Sequence, residues 1–223
     1  MTSAVVVLSG GQDSTTCLFL ARAKYERVRA ISFDYGQRHA VELESAQRIA
    51  KLAGVPHDLV DLRGYGSVAK SALTDRATDV SATGGLGGLP STFTPGRNLV
   101  FLTVAASYAI AHGIDTLVTG VCETDYSGYP DCRRTTIDAL QVAIALGNDL
   151  RRFTIETPLM YLTKQATVEL ARSLPGCWEA LAQTVTCYHG SVPGCGSCPA
   201  CELRAKGFEG AGFKDPAIPT VHA

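Results

Sequence analysis

Ser9-Gly10-Gly11-Gln12-Asp13-Ser14 has the composition of an anion cradle. Two adjacent glycines let the backbone take positive φ and approach a ligand without Cβ obstruction. Asp13 or Ser14 can cap a following helix, whose first-turn N–H groups attract a negative group, phosphate being the expected guest. No lysine follows the second glycine where a Walker A loop requires one. A second cluster stands near the other end: Cys187, Cys195, Cys198 and Cys201, spaced C-x7-C-x2-C-x2-C and threaded with Gly190, Pro193, Gly194 and Gly196. Four thiolates in glycine-rich knuckles suit a tetrahedral zinc with no open position, hence a structural one. A redox Cys-x-x-Cys pair needs a βα setting that this segment lacks, and an iron–sulfur cluster is the alternative guest.

These groups need elements to hold them. Strand-like and helix-like segments alternate along the chain, the pattern of a doubly wound parallel α/β sheet. Residues 4–8, apolar on both faces, predict a buried strand, and 15–24 a helix with Cys17, Leu18, Leu20 and Ala21 at helical spacing. Further strands are expected at 28–33, 59–62, 115–119 and 152–156, with helices at 40–52, 99–112, 134–146 and from 163, Lys164 lying in the first turn of the last. Residues 64–96 break the rhythm, and glycine-rich Thr83 to Pro90 is expected to be a long irregular loop. Ligands in open parallel sheets bind beyond the carboxyl ends of the strands. Four polar clusters fall there, at 9–16, 34–39, 120–133 and 157–164. The expected organisation is a main domain over 1–175 with a cysteine-bearing segment, 176–223, packed on it.

Bulk properties bound the function. The chain has 223 residues, 46% of them hydrophobic, enough for a sizeable core. A formal charge of −1 argues against an extended nucleic-acid footprint. No apolar run reaches the ~18 residues of a membrane span, and the first residues lack the pattern of a signal peptide. A cytoplasmic protein is expected, so its eight cysteines are not expected to form structural disulfides. Cys17 falls on an apolar helix face and reads as packing, while Cys122 and Cys132 flank a site-like loop. Among the histidines, only His39, beside a strand end, is a site candidate.

Residues 9–14 resemble, at every fixed position, the PP-loop Ser-Gly-Gly-x-Asp-Ser of ATP pyrophosphatases. Other pieces narrow the resemblance: Phe-Asp-Tyr-Gly-Gln-Arg-His at 33–39, Pro-Gly-Arg-Asn at 95–98, Thr-Gly-Val-Cys-Glu-Thr-Asp-Tyr-Ser-Gly-Tyr-Pro-Asp-Cys-Arg at 119–133, Glu-Thr-Pro-Leu-Met at 156–160, Thr-Cys-Tyr at 186–188 and the cysteine run. Together they resemble the 7-cyano-7-deazaguanine synthase family, the nitrile-forming ligases of the queuosine pathway. The match spans residue 5 to about 207, with a slightly short Cys187-to-Cys195 spacing and an idiosyncratic 83–88 segment.

The resemblance implies that ATP adenylylates the carboxylate of 7-carboxy-7-deazaguanine, that ammonia displaces AMP, and that a second adenylylation on the amide oxygen leads to the nitrile. It places ATP on Leu8, Ser9, Gly10, Gly11, Gln12, Asp13, Ser14, Thr15, Thr16, Cys17 and Leu18, with magnesium as charge partner. Asp13, Lys164 and Arg97 are the expected catalytic residues, Asp13 as a helix cap or a magnesium ligand and Lys164 facing charge at the α-phosphorus. Arg97 and Arg133 suit the substrate carboxylate or the phosphates. Glu123, Asp125 or Asp131 would accept from the ring N–H groups, and Tyr35, Tyr126 and Tyr129 are candidate stacking surfaces. Loop 83–96 is the candidate lid over a water-sensitive adenylate. Free ammonium or a separate partner would supply nitrogen, and a homodimer is the base-rate assembly. A PP-loop tRNA thiolase or lysidine synthase is the competing reading, with Cys122 and Cys132 as persulfide carriers. A zinc-dependent scaffold with a vestigial loop is another.

Overall fold

Ala4, Val5, Val6 and Leu8 are completely buried, and a strand enclosed on both faces needs a helix layer on each side. The computed structural model describes residues 2–82, 85–124 and 128–219. In chain order it contains β1 (Ser3–Val7), α1 (Gln12–Lys24), β2 (Arg27–Asp34), α2 (Val41–Leu52), β3 (His57–Asp61), α3 (Arg63–Val68) and α4 (Arg97–Ala111). There follow β4 (Thr116–Val118), α5 (Arg134–Gly147), β5 (Thr154–Glu156), α6 (Lys164–Ser173), α7 (Cys177–Leu181) and α8 (Pro199–Gly210). The strands pair in the order β3-β2-β1-β4-β5, every pairing parallel. Val5 and Val6 of β1 lie beside Arg29 and Ala30 of β2 and beside Leu117 and Val118 of β4.

Alternation along β1 divides the core. Ala4, Val6 and Leu8 pack with Leu18, Ile49, Val168, Leu181 and Phe208 of α1, α2, α6, α7 and α8. Val5, on the other face, packs with Ile31 and Leu117 and with Leu102, Ile137 and Ile144 of α4 and α5. The expected doubly wound sheet is therefore present. No helix among the described residues is long and apolar enough to cross a membrane.

Two regions differ from the expected pattern. Segment 64–96 holds α3 and a 3₁₀ turn at Leu86–Gly88, and its end is tied down. The Ala72 N–H donates to Ser91 O at 2.9 Å, and the Ser71 and Thr94 hydroxyls meet at 2.6 Å. Residues 91 and 94 are thus bonded to residues 71 and 72, while Thr83 and Gly84 lie outside the described residues. The second difference is helical structure beyond residue 176. Alpha8 carries Gly207 and Gly210, poor helix formers that hide it from periodicity, yet both glycines sit against α6.

Candidate active site

Beta1 has β2 on one side and β4 on the other, so the strand order reverses there and a crevice opens at the carboxyl ends of β1 and β4. Gly120 ends that crevice: a Cβ on it would lie 3.2 Å from Asp13 Cβ and Ser14 N. The two loop glycines divide the work differently from expectation. Gly10, at φ +89°, faces α2, and a Cβ there would stand 2.1 Å from Glu42 O. Close packing, not ligand approach, requires that glycine. Gly11 faces the cavity and the 185–186 segment, its nearest neighbour there being Val185 O at 3.7 Å.

Gly11 is also the N-cap of α1, with no side-chain cap. The expected capping by Asp13 or Ser14 does not occur, because both already lie inside the first turn. Ser14 Oγ instead reaches back, accepting from Ser9 N–H at 3.1 Å and meeting Ser9 Oγ at 3.0 Å. The first backbone bond of the helix runs from Thr15 N–H to Gly11 O at 3.1 Å. The preceding N–H groups, of Gln12, Asp13 and Ser14, therefore stand before the ladder and give the turn its anion affinity.

A cavity of about 300 Å³ covers this turn, with Ser9, Gly11, Gln12, Asp13 and Ser14 in its wall. Leu8, Gly10, Thr15, Thr16, Cys17 and Leu18 are absent from it. Leu8, Thr15, Thr16, Cys17 and Leu18 are fully buried in the body of the protein, so five residues of the span expected to hold ATP face the cavity. Helical rotation turns 15–18 inward, and the Thr15 and Thr16 hydroxyls donate back to Gly11 O and Gln12 O.

Three wall residues carry buried polar atoms with no partner among the described residues: Gln12 Nε2, Asp13 Oδ1 and His39 Nδ1. Buried polar atoms are almost always satisfied, so three orphans in one wall point to a polar guest. Asp13 Oδ2 accepts from the Lys164 ammonium, which Thr163, the N-cap of α6, delivers to the same wall.

Arg97, the first residue of α4, stands across the cavity with Tyr35, Tyr129 and Tyr188. Its guanidinium carbon lies 5.9 Å from the centre of the Tyr129 ring. No ion pair to Arg97 is formed among the described residues, and its side chain interacts with the Tyr35 phenol in the cavity wall. Burial pushes the Tyr35 phenol up to about 12, so it remains a neutral donor at working pH.

Other expected site residues are engaged elsewhere. Asp131 Oδ2 accepts from Asn98 N–H at 3.0 Å, satisfying the start of α4. Glu123 Oε1 accepts from Arg134 N–H at 2.6 Å, at the start of α5. Arg133 is exposed outside the wall as the N-cap of α5. Asp125 and Tyr126 lie outside the described residues. Tyr188, Phe101 and Glu42 line the cavity without having been singled out. Only Tyr188, next to Cys187, carried a sequence signal.

The four cysteines fit a metal. Their sulfurs lie within 4.8 Å of one another, with Cys195 and Cys201 at 4.0 Å. Bonds of about 2.3 Å to a tetrahedral zinc would set sulfurs about 3.8 Å apart. Burial works to raise the Cys195 thiol, but hydrogen bonds from Ser197 and the Cys198 N–H bring it down to about 6, while burial holds Cys198 and Cys201 above the ordinary thiol range. Cys122 and Cys132 line the same cavity as Lys164 and Arg97, Cys122 Sγ meeting Thr124 Oγ1 at 2.9 Å and Cys132 Sγ accepting from Asn98 Nδ2 at 3.3 Å.

Comparison with known proteins agrees with this geometry. The tRNA methyltransferase subunit, so described, from Methanocaldococcus jannaschii shares the fold at TM-score 0.51 and 21% identity, over 77% of this chain and 75% of that one. A 4-thiouridine synthetase, solved with RNA and ATP, does so at TM-score 0.50 and 16% identity, over 95% of this chain and 53% of that one. Sequence relatives are much nearer. The 7-cyano-7-deazaguanine synthase of Chromobacterium violaceum is 52% identical over 99% of this chain and 94% of its own. That of Laribacter hongkongensis is 54% identical over 96% and 93%. The family model described as queuosine biosynthesis protein QueC matches residues 3–212, and the chain belongs to the QueC family.

Proposed function

We propose that this protein converts 7-carboxy-7-deazaguanine and ammonia to 7-cyano-7-deazaguanine, consuming ATP in two adenylylations. The observation that carries the reading is one cavity wall that joins the anion-binding first turn of α1 to two cations, Lys164 and Arg97. A carboxylate resists attack by ammonia until one oxygen becomes part of a good leaving group. The first turn of α1 would hold the β,γ-pyrophosphate, and Lys164 would meet charge at the α-phosphorus as the substrate carboxylate attacks it. Pyrophosphate leaves, ammonia adds to the acyl carbon, and AMP and a proton depart to give the amide. The amide oxygen then attacks the α-phosphorus of a second ATP, pyrophosphate leaves, and loss of AMP and both amide N–H protons leaves the nitrile.

Arg97 would orient the carboxylate, with Tyr35 and Tyr129 flanking the planar ring. Glu123, Asp125 or Asp131 would accept from the ring N–H groups, Glu123 and Asp131 each already accepting one backbone N–H at a helix start. Asp13 Oδ1 is the oxygen of this wall suited to magnesium, which neutralises phosphate charge. The four cysteines would hold a structural zinc that stabilises the fold. The reading needs only small-molecule partners, in the cytoplasm, without direct nucleic-acid binding, and takes a homodimer as the assembly.

A PP-loop tRNA-modifying enzyme is the other reading, and relatives near 50% identity with the synthase name favour the first. The test offers the purified protein 7-carboxy-7-deazaguanine, ATP, magnesium and ammonium. A nitrile product by mass spectrometry is expected, and an unchanged substrate mass with folded, metal-loaded protein would refute the proposal.

A further inference from the structure

Alpha8 lends Arg204 to the cavity wall and packs Gly207 against Lys164, which lines it, and neither α8 residue offers a free ligand-binding group. Arg204 is buried, and all five of its guanidinium N–H donors are committed. Nε and Nη2 fork onto Asp215 at 2.6 and 2.8 Å, and Nη2 also reaches Leu181 O at 3.4 Å. Nη1 donates to Thr184 Oγ1 at 2.7 Å and Thr186 Oγ1 at 2.9 Å. A guanidinium so occupied cannot also grip a phosphate; it holds residues 184–186 in place. That segment is bonded to the PP-loop, the Val185 N–H donating to Gly10 O at 3.0 Å.

Less than one turn further along α8, Gly207 packs on the stem of Lys164. A Cβ on Gly207 would lie 2.9 Å from Lys164 Cβ and 3.2 Å from Lys164 O. Only hydrogen fits without moving the first turn of α6, so the backbone of α8 sets where the Lys164 side chain begins. The same helix starts at the cysteine knot, with Cys198 as its N-cap and Cys201 in its first turn.

We propose that Arg204 and Gly207 are positioning residues, and that α8 is a strut setting the PP-loop through Thr184 and Thr186 and the Lys164 ammonium through Gly207. The inference rests on the reading that the loop and Lys164 grip ATP. Consequently the two contacts have different kinetic signatures. Gly207 acts through a group that works on transition-state charge, and Arg204 through the loop that binds ATP.

The experiment uses the full-length, metal-loaded protein and follows pyrophosphate release with ATP and 7-carboxy-7-deazaguanine. Gly207→Ala should retain fold and bound metal, since alanine is the better helix former. Its kcat should fall about tenfold or more while KM for ATP stays within about twofold. Gly210→Ala, whose Cβ would meet the Gln165 side chain with Oε1 nearest at 3.2 Å, is the control on the same helix and should keep the parental kcat. Arg204→Lys keeps the charge but not the fork, and should raise KM for ATP about tenfold. Equal kcat in the two glycine variants, or a parental KM in Arg204→Lys, would overturn the proposal. Should Gly207→Ala lose its fold, Arg204→Lys decides; should Arg204→Lys do so, the glycine pair decides. Lys164→Met separates the layers. Normal turnover in that variant refutes the reading of Lys164, whereas an inactive Lys164→Met beside a parental Gly207→Ala refutes the strut alone.

Discussion

The Lys164 ammonium, on the first residue of α6, donates to Oδ2 of Asp13 in the first turn of α1, across 151 positions of sequence. The pair is partly buried, with side chains 13% and 27% exposed. It aims a cation at the loop while leaving Asp13 Oδ1 unpartnered. Lys164→Met should lower kcat about 10²- to 10³-fold, because a preorganised cation acts where charge develops. Its effect on stability should stay near 1 kcal/mol, the value of a pair that water still reaches. Rapid-quench measurement of pyrophosphate release, alongside thermal unfolding, checks both.

Arg97 divides substrate from nucleotide. Arg97→Met should raise KM for the deazaguanine acid by about 10- to 100-fold, the loss of one charge-assisted contact, and leave KM for ATP within about twofold. A rise confined to ATP would place the guanidinium on the phosphates instead. Steady-state kinetics with each substrate varied in turn distinguishes these outcomes.

The two loop glycines should respond oppositely to alanine. In Gly10→Ala the new methyl meets Glu42 O at 2.1 Å and φ is +89°, so overpacking and backbone strain together should cost about 3 kcal/mol or more. In Gly11→Ala φ is −87° and the nearest atom is Ser9 Oγ at 3.5 Å, so stability should hold while ATP binding weakens. Denaturant unfolding and nucleotide titration of both variants read the contrast.

Cys198, completely buried, links the metal knot to α8. Cys198→Ser should release the metal and cost about 3 kcal/mol, roughly 10 °C in Tm. Elemental analysis should find zinc in the parent and little in the variant. A parental Tm after complete metal loss would contradict the structural role.

The sheet and the PP-loop were legible because buried strands and amphipathic helices write their periods into the sequence, as Ala4 to Leu8 and Val41 to Leu52 do. The cysteine knot was legible because ligand spacing is local. The helix-start hydrogen bonds of Glu123 and Asp131 were not, since they depend on where the next helix begins. Nor was the role of Gly10, whose necessity lies in Glu42, thirty-two positions away. Alpha8 stayed hidden because its glycines serve contact with α6 at the expense of helix propensity.

Attack of the substrate carboxylate on the α-phosphorus is the centre of this account, and oxygen tracing tests it most directly. With both carboxylate oxygens of 7-carboxy-7-deazaguanine labelled with heavy oxygen, each adenylylation should carry one label into AMP. The nitrile and the pyrophosphate should carry none. Unlabelled AMP, or label in inorganic phosphate, would show that the oxygen attacks elsewhere and would contradict the account.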